Sequence, residues 1–432
     1  MFLAYNALLI LALPGILVYH CWRAFRRGRP AALSPRFGLE TDLELAALAE
    51  KGPIWVHAVS VGETMAVKPL LAALKQAYPG RPLILSHMTE TGRSVARTIG
   101  SVDHCLYFPF DYPGAVRRVL TRVRPSLVVI METEIWPNFL RVARQLDIPT
   151  VIVNGRISDR SLGRYLRLRS FFRPVLAQVT TFCMQTAEDA RRIEAIGADP
   201  ARVRVCRNLK YDIPTALPTE EERADLRAAY RLPDGIPVFT AGSTHPGEET
   251  AVLEAFRSLL ATGQEAVLVL VPRHPERAGE VAALVPQAGL PCRRRSQLDA
   301  VDGPLESCGV LLVDTVGELM RLYAVSDLVF VGGSLVAVGG HNVLEPASLG
   351  VAVLFGPHMS NFREIAAMMV AAGSGIQLAD GSELARQLVE LLRDKARRLE
   401  MGQRGRQLLL DNSGATERHL AAIAELLPIG KG

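Results

Sequence analysis

Residues 330–346 read FVGGSLVAVGGHNVLEP, and the fold turns on this stretch. It closes an apolar strand, Asp327 to Val331, and breaks at Gly332-Gly333. It turns again at Gly339-Gly340 and runs into His341, Asn342 and Glu345. Glycine lets the chain bend sharply and lets a ligand come close to the backbone. A helix starting at Asn342 would aim free N–H groups at an anion such as a phosphate. Glu345, one turn in, is placed to accept hydrogen bonds from sugar hydroxyls. Tight packing alone explains one Gly-Gly pair. Two pairs followed by a carboxylate within helical reach point to a nucleotide site. The G-x-G-x-x-G fingerprint of a dinucleotide site is absent.

Working outward, the same strand–turn–helix grammar recurs. Pro237 to Ala241 is an expected strand, ending in Gly242, Ser243, Thr244, His245 and Pro246. Ser243 and Thr244 suit either helix capping or phosphate contact, as do Gly333 and Ser334 in the opening stretch. Ala266 to Val271 ends at Pro272-Arg273-His274, and Val310 to Val313 ends at Asp314 to Glu318. Val351 to Phe355 follows, and the chain finishes in helices, the last at about 415–428. His274, His341 and His358 lack ligand spacing, so no metal site is expected.

Upstream, a first set of strands is expected at 54–59, 83–86, 127–131 and 150–153, each followed by a polar motif and a helix. Strand–helix alternation at this spacing means βαβ units and a parallel sheet. Ligands of such sheets bind beyond the carboxyl ends of the strands. Glu63 stands at one such end, behind Gly62. It suits a helix N-terminal acid, and it equally suits a general base for a sugar hydroxyl. Glu132 and Glu134 cluster at another end. Arg156, Arg160, Arg164, Arg167, Arg169 and Arg173 form a basic run opposed only by Asp159. Such a run is a solvated helix face or a contact for anionic headgroups. Lys210 lies in a proline-punctuated junction with Pro214 and Pro218, as a solvated linker residue or a cation for a phosphate.

Phe2 to Tyr19 is almost wholly apolar and is followed by arginines. About 20 such residues cross a bilayer core. With the positive cluster behind the apolar run, a spanning helix leaves the body in the cytoplasm. Asn6, Pro14 and His20 keep a helix lying in the interface as the alternative. Arg23, Arg26, Arg27, Arg29 and Arg36 account for the whole +5 net charge, leaving 44 basic against 44 acidic residues. A neutral body argues against nucleic acid as a partner. Six scattered cysteines without C-x-x-C fit reduced thiols and no metal framework. The expected domains are an anchor at 1–22, a basic segment at 23–39, a first α/β domain at 40–207, a linker at 208–218 and a second α/β domain at 219–432. The last helix is free to pack back on the first domain.

SVGE at 60–63, METEIWPN at 131–138, NLKYD at 208–212, PRHPER at 272–277, GGSL at 332–335, GGHNVLEP at 339–346 and GPHMSNF at 356–362 occur in that order. This series resembles the 3-deoxy-D-manno-octulosonate (Kdo) transferases of lipopolysaccharide synthesis. Arg207, before NLKYD, stands where a small residue is usual, and Ala352 where proline is common. The resemblance implies a GT-B fold: two Rossmann-like parallel-sheet domains facing a cleft, plus the N-terminal anchor helix. It implies CMP-Kdo as donor, a lipid A precursor as acceptor, membrane lipids as surroundings, the inner membrane as location and no cofactor. Glu63 matches the catalytic base; Glu132 and Lys210 match positions that support the transition state. Pro272 and Arg273, then Val316, Gly317 and Glu318, then Asn342, Val343, Leu344 and Glu345, match the CMP-binding segments. A monophosphate leaving group needs Mg²⁺ less than a pyrophosphate does, and attack from opposite domains favours inversion. The rival readings are a GT-B enzyme using a UDP-sugar and a membrane-tethered nucleotide-binding adaptor without catalysis.

Overall fold

The structure is a computed structural model describing residues 1–27, 32–39, 43–213, 216–300 and 303–428. Arg29, the expected domain start at residue 40, and Pro214 lie outside the described residues. The chain forms two compact units: residues 1–212 with 412–432, and residues 213–411.

The first unit holds seven strands: β1 (Ile54–His57), β2 (Leu83–His87), β3 (His104–Tyr107), β4 (Leu127–Met131), β5 (Thr150–Gly155), β6 (Thr181–Met184) and β7 (Val203–Val205). They pair in the order β3-β2-β1-β4-β5-β6-β7, all parallel. Helices cover both faces, so residues of the central strands are buried whichever way they point. In β1, Ile54 and Val56 face one core and Trp55 the other. This is why the strands read as continuous apolar runs. Each buried aliphatic or aromatic side chain contributes about 1.5–3 kcal/mol over leaving it exposed. The strand order reverses between β1 and β4, opening a crevice at their carboxyl ends.

Helix Ala415–Leu426 completes this unit, with Ala415, Ala422 and Ile423 packed in the core beneath helix Val61–Ala77. Its N-terminal amides are capped from a distance: the Asp212 carboxylate accepts from Gly414, Ala415 and Thr416. The expected linker at 208–218 therefore begins inside the first unit. Leu209 and Tyr211 are buried in a 3-10 turn, because Asn208 fixes the turn and Asn154 accepts from the Leu209 amide. Arg207 has φ 68, a left-handed conformation that suits a small residue better, and donates to the Ser413 carbonyl at 2.9 Å.

The second unit repeats the plan with β8 (Val238–Thr244), β9 (Val267–Pro272), β10 (Cys292–Arg294), β11 (Val310–Leu312), β12 (Leu328–Val331), β13 (Ala352–Phe355) and β14 (Gly375–Gln377). Their order is β10-β11-β9-β8-β12-β13-β14, again parallel, with the reversal between β8 and β12. The residues 330–346 thus sit at the switch point of the second sheet. Close backbone approach holds it together. A Cβ on Gly356 would overlap the backbone of Ser334. Gly356→Ala is expected to cost about 2–3 kcal/mol, read as a lower urea midpoint with an unchanged slope.

Helix Phe2–Arg27 opens the first unit and is long and apolar enough over Phe2–Arg26 to cross a membrane. It packs on the rest of that unit. Tyr5 donates to Asp111 at 2.8 Å, Asn138 to the Asn6 side chain at 2.7 Å, and Tyr112 to the Leu9 carbonyl at 2.8 Å.

Candidate active site

In the first unit, the sheet brings the ends of β1 and β4 together, and with them Glu63 and Glu132. Glu63 lies in the first turn of helix Val61–Ala77, whose N-cap is Ser60. Its carboxylate accepts from the Val59 amide at 2.8 Å and the Ser60 hydroxyl at 3.0 Å, while Ser60 accepts from the Glu63 amide at 3.2 Å. This reciprocal cap fixes the carboxylate and orients it. Burial pushes its pKa up to about 7, helped by the negative charges of Glu132 and Glu134 and opposed by the Val59 and Ser60 hydrogen bonds. Burial, and the charge of Glu132, also raise Glu134. A carboxylate half ionised near neutrality suits a proton acceptor.

The backbone around it is strained. Glu132 and Asn154, at the ends of neighbouring strands, both have φ 54. Non-glycine residues held in this region cost energy and gather at functional sites. Asn154 is locked by its neighbours: its amide donates to His419 at 2.9 Å and its side chain accepts from Leu209 at 3.0 Å. Lys210 follows on that same turn, half-buried, with its amide bonded to Asn208 at 3.0 Å.

In the second unit, the switch point gathers Arg273, His245, His274, His341 and Glu345. The rings of His245 and His341 stack 9° from parallel with 2.9 Å between their Nε2 atoms, and His274 meets His245 edge-on. Burial lowers His341 to about 4, reinforced by the charge of Arg273 and by His245 and His274. Arg273 itself is exposed. Glu345 is raised by burial, while an Asn342 hydrogen bond at 3.3 Å and the Arg273 charge oppose the rise. Arg273 can meet a phosphate, and Glu345 with Asn342 can take hydroxyls. On the β11 loop, Glu318 is held by Tyr230, Arg295 and Thr315, and its pKa is lowered by those hydrogen bonds against the opposing effect of burial. Beside it Val316 is 83% exposed, and Gly317 has φ 89 with open space where a Cβ would stand. That leaves this backbone open to a ligand. Pro272 ends β9, and Val343 and Leu344 are fully buried, so the last two offer a ligand only their backbone.

Three expectations are corrected. The helix begins at Leu344, not Asn342, and spans only Leu344–Ser348, with its first amide already taken by the Asn342 side chain. The amides of Gly333 and Ser334, expected to be free for a ligand, are bonded within the protein. Buried Glu248 accepts from them at 2.7 and 2.9 Å, and from Leu335 and His245 at 2.9 Å each. A carboxylate of the protein occupies the cradle that the glycines make. Ser334 and Thr244 are likewise buried, bonded to the Val331 carbonyl and to Glu249. Of that group only Ser243 keeps an accessible position, with a left-handed φ of 57.

Sequence reasoning missed Glu248 and the grouping of His245 with His341. The signal for His245 was its place right after β8, mirroring the opening stretch after β12. Among the described residues no group of three or more His, Cys, Asp or Glu is placed to hold a metal ion.

A family model described as 3-deoxy-D-manno-octulosonic-acid transferase (kdotransferase) matches residues 31–213. A 3-deoxy-D-manno-octulosonic acid transferase of Haemophilus influenzae is 34% identical, over 96% of this chain and 96% of its own. One from Bordetella pertussis is 36% identical, over 94% of this chain and 95% of its own. Among solved structures, a glycosyltransferase of Rickettsia africae matches 88% of this chain and all of its own with a TM-score of 0.53 at 11% identity, a likeness of fold alone. With relatives aligned end to end at this identity and the parallel sheets in place, the chain belongs to the 3-deoxy-D-manno-octulosonic-acid (Kdo) transferase family of glycosyltransferases.

Proposed function

We propose that this protein transfers Kdo from CMP-Kdo to a lipid A precursor at the cytoplasmic face of the inner membrane, with inversion, without a metal, and with Glu63 as general base. The observation that carries the reading is Glu63: a fixed carboxylate at a switch point, raised to about 7. The acceptor hydroxyl oxygen attacks the anomeric carbon of Kdo as its proton passes to Glu63. The bond from that carbon to the CMP phosphate breaks, and CMP leaves. Negative charge grows on the phosphate, and preorganised cations aimed at it lower the barrier. Arg273 supplies one and Lys210 another. Glu132 keeps Glu63 basic through its charge and supports the transition state. Pro272 and the exposed backbone of Val316-Gly317 take the nucleotide, and Asn342 with Glu345 takes its hydroxyls. Glu318 holds the loop that carries that backbone. The resemblance supplies these roles, and the geometry supports them.

Incubating the full chain with CMP-Kdo and the lipid A precursor is expected to give a product heavier by whole Kdo units, by mass spectrometry. CMP, not UDP, is expected to raise the unfolding temperature, since ligand at about 100 times Kd adds about 2.7 kcal/mol. Arg273→Ala is expected to weaken CMP about 10- to 100-fold in calorimetry, the effect of losing a charged hydrogen bond. A chain that binds UDP and ignores CMP-Kdo overturns the donor.

A further inference from the structure

The N-terminal helix poses a problem of geometry. Its half-buried positions fall at 2, 5, 6, 9, 13, 16, 17, 20 and 24, the 3–4 spacing of one helical face. That stripe runs about 33 Å at 1.5 Å per residue. Its contacts with the rest of the first unit lie toward its two ends. Near the start, Tyr5 and Asn6 hold Asp111 and Asn138, which are 4% and 0% exposed. Arg141 lies over the Phe2 ring at 4.7 Å, and Tyr5 meets Phe171 at 5.8 Å. Near the end, His20 meets Phe110 edge-on at 5.2 Å. About 17–25 residues clear of the body are needed to span a bilayer, and contacts at Phe2, Tyr5, Asn6, Leu9 and His20 tie the helix to the body at both ends.

The other face is apolar and open. Leu3 is 85% exposed, Leu11 77% and Phe25 88%, with Leu8, Ile10 and Val18 between. Trp22 on this face carries Arg26 over its ring at 5.0 Å. Beside the helix start, through Phe171, lie the helices Asp159–Arg167 and Arg169–Leu176. They expose Arg160, Arg164, Arg167 and Arg169 together with Leu166 and Leu168. Basic residues interleaved with bare leucines beside an apolar helix face complement a negatively charged bilayer surface, with apolar groups entering the acyl boundary and arginines at the headgroups.

We propose that helix Phe2–Arg27 does not cross the bilayer but lies in its plane, one face on the first unit and the other in lipid, and that the basic run continues this contact on anionic headgroups. Both chain ends of the helix then stay on the side of the catalytic body. This replaces the spanning orientation read from the arginine cluster. It is independent of which sugar is transferred.

The test uses the full chain with Cys21→Ser, bound to vesicles of phosphatidylcholine with phosphatidylglycerol. Asn6→Cys with Asn138→Cys is expected to form a disulfide under mild oxidation on the vesicles, and Leu11→Cys with Asn138→Cys to form none. Absence of the first disulfide on vesicles overturns the proposal, whether or not it forms in detergent. Leu8→Glu with Leu11→Glu is expected to lower vesicle flotation at least tenfold without lowering the unfolding temperature. Reversing Arg160, Arg164 and Arg167 to Glu is expected to remove the preference for anionic over zwitterionic vesicles. Unchanged flotation in the leucine variant overturns the lipid assignment, and if that variant instead dissociates a dimer in sedimentation, a second copy covers the face. None of these readouts involves glycosyl transfer, so they fail or succeed apart from the enzyme assay.

Discussion

Glu63→Gln is expected to lower the rate of Kdo transfer by about 10²–10⁴ while leaving CMP binding intact, the range lost when a general base is removed. Glutamine keeps an acceptor for the Val59 amide, so the helix cap survives. Were Glu63 only a cap, this substitution would leave transfer nearly unchanged. Wild-type kcat/KM is expected to fall about tenfold per pH unit below about 7, as Glu63 takes up its proton. The same group has an opposite signature in stability. Its folded pKa is raised from 4.5 to about 7, so its contribution is fully present below 4.5 and lost as pH rises through about 7. Glu63→Gln escapes that loss. It is expected to be more stable than wild type by on the order of 1–3 kcal/mol at pH 8, with the gain vanishing near pH 4.5. Urea unfolding at the two pH values checks the sign. A variant that is less active and more stable in this pattern identifies a carboxylate kept costly for its chemistry.

Glu248→Ala is expected to have the largest effect on stability, about 4 kcal/mol or more, and to leave much of the chain unfolded at 37 °C. The carboxylate satisfies four backbone amides, from His245, Gly333, Ser334 and Leu335, in a place that water does not reach. Each amide left bare costs about 1–3 kcal/mol. Gln would keep one acceptor oxygen and lose the charge, so Glu248→Gln is expected to fall between wild type and alanine. The order of the three in urea midpoint is the measurement. An alanine variant within 1 kcal/mol of wild type would mean that the 332–335 turn is held by other contacts.

Much of the sheet framework was legible because central strands buried on both faces appear as apolar runs. The strands that escaped notice are short or at the margins: β3, whose pattern alternates half-buried and buried residues, and the three-residue β7, β10 and β14. β6, only Thr181–Met184, also carried no flanking motif. Glu63 and Glu132 were legible as candidates because strand ends can be read from sequence, whereas their mutual repulsion needed the crevice. The reverse holds for Glu248, whose partners lie 85 to 87 residues away in the chain. No local pattern marks a carboxylate that caps a distant turn. The glycines of that turn were read as room for a ligand, and Glu248 is what accepts from the turn's amides. His245 and His341, 96 residues apart, meet only because β8 and β12 are neighbours.

The capping of helix Ala415–Leu426 by Asp212 bears on how the chain is made. The first unit lacks part of its core until residues 412–428 emerge, and residues 213–411 are synthesised in between. At about 5–20 residues per second, the ribosome takes roughly 10–40 s over that interval. During it the floor beneath helix Val61–Ala77, later filled by Ala422 and Ile423, stands open. The second unit, continuous in sequence, can finish first, reversing the usual order in which a nascent chain folds. The carboxylate-bearing half of the molecule is then complete only once residues 412–428 have emerged.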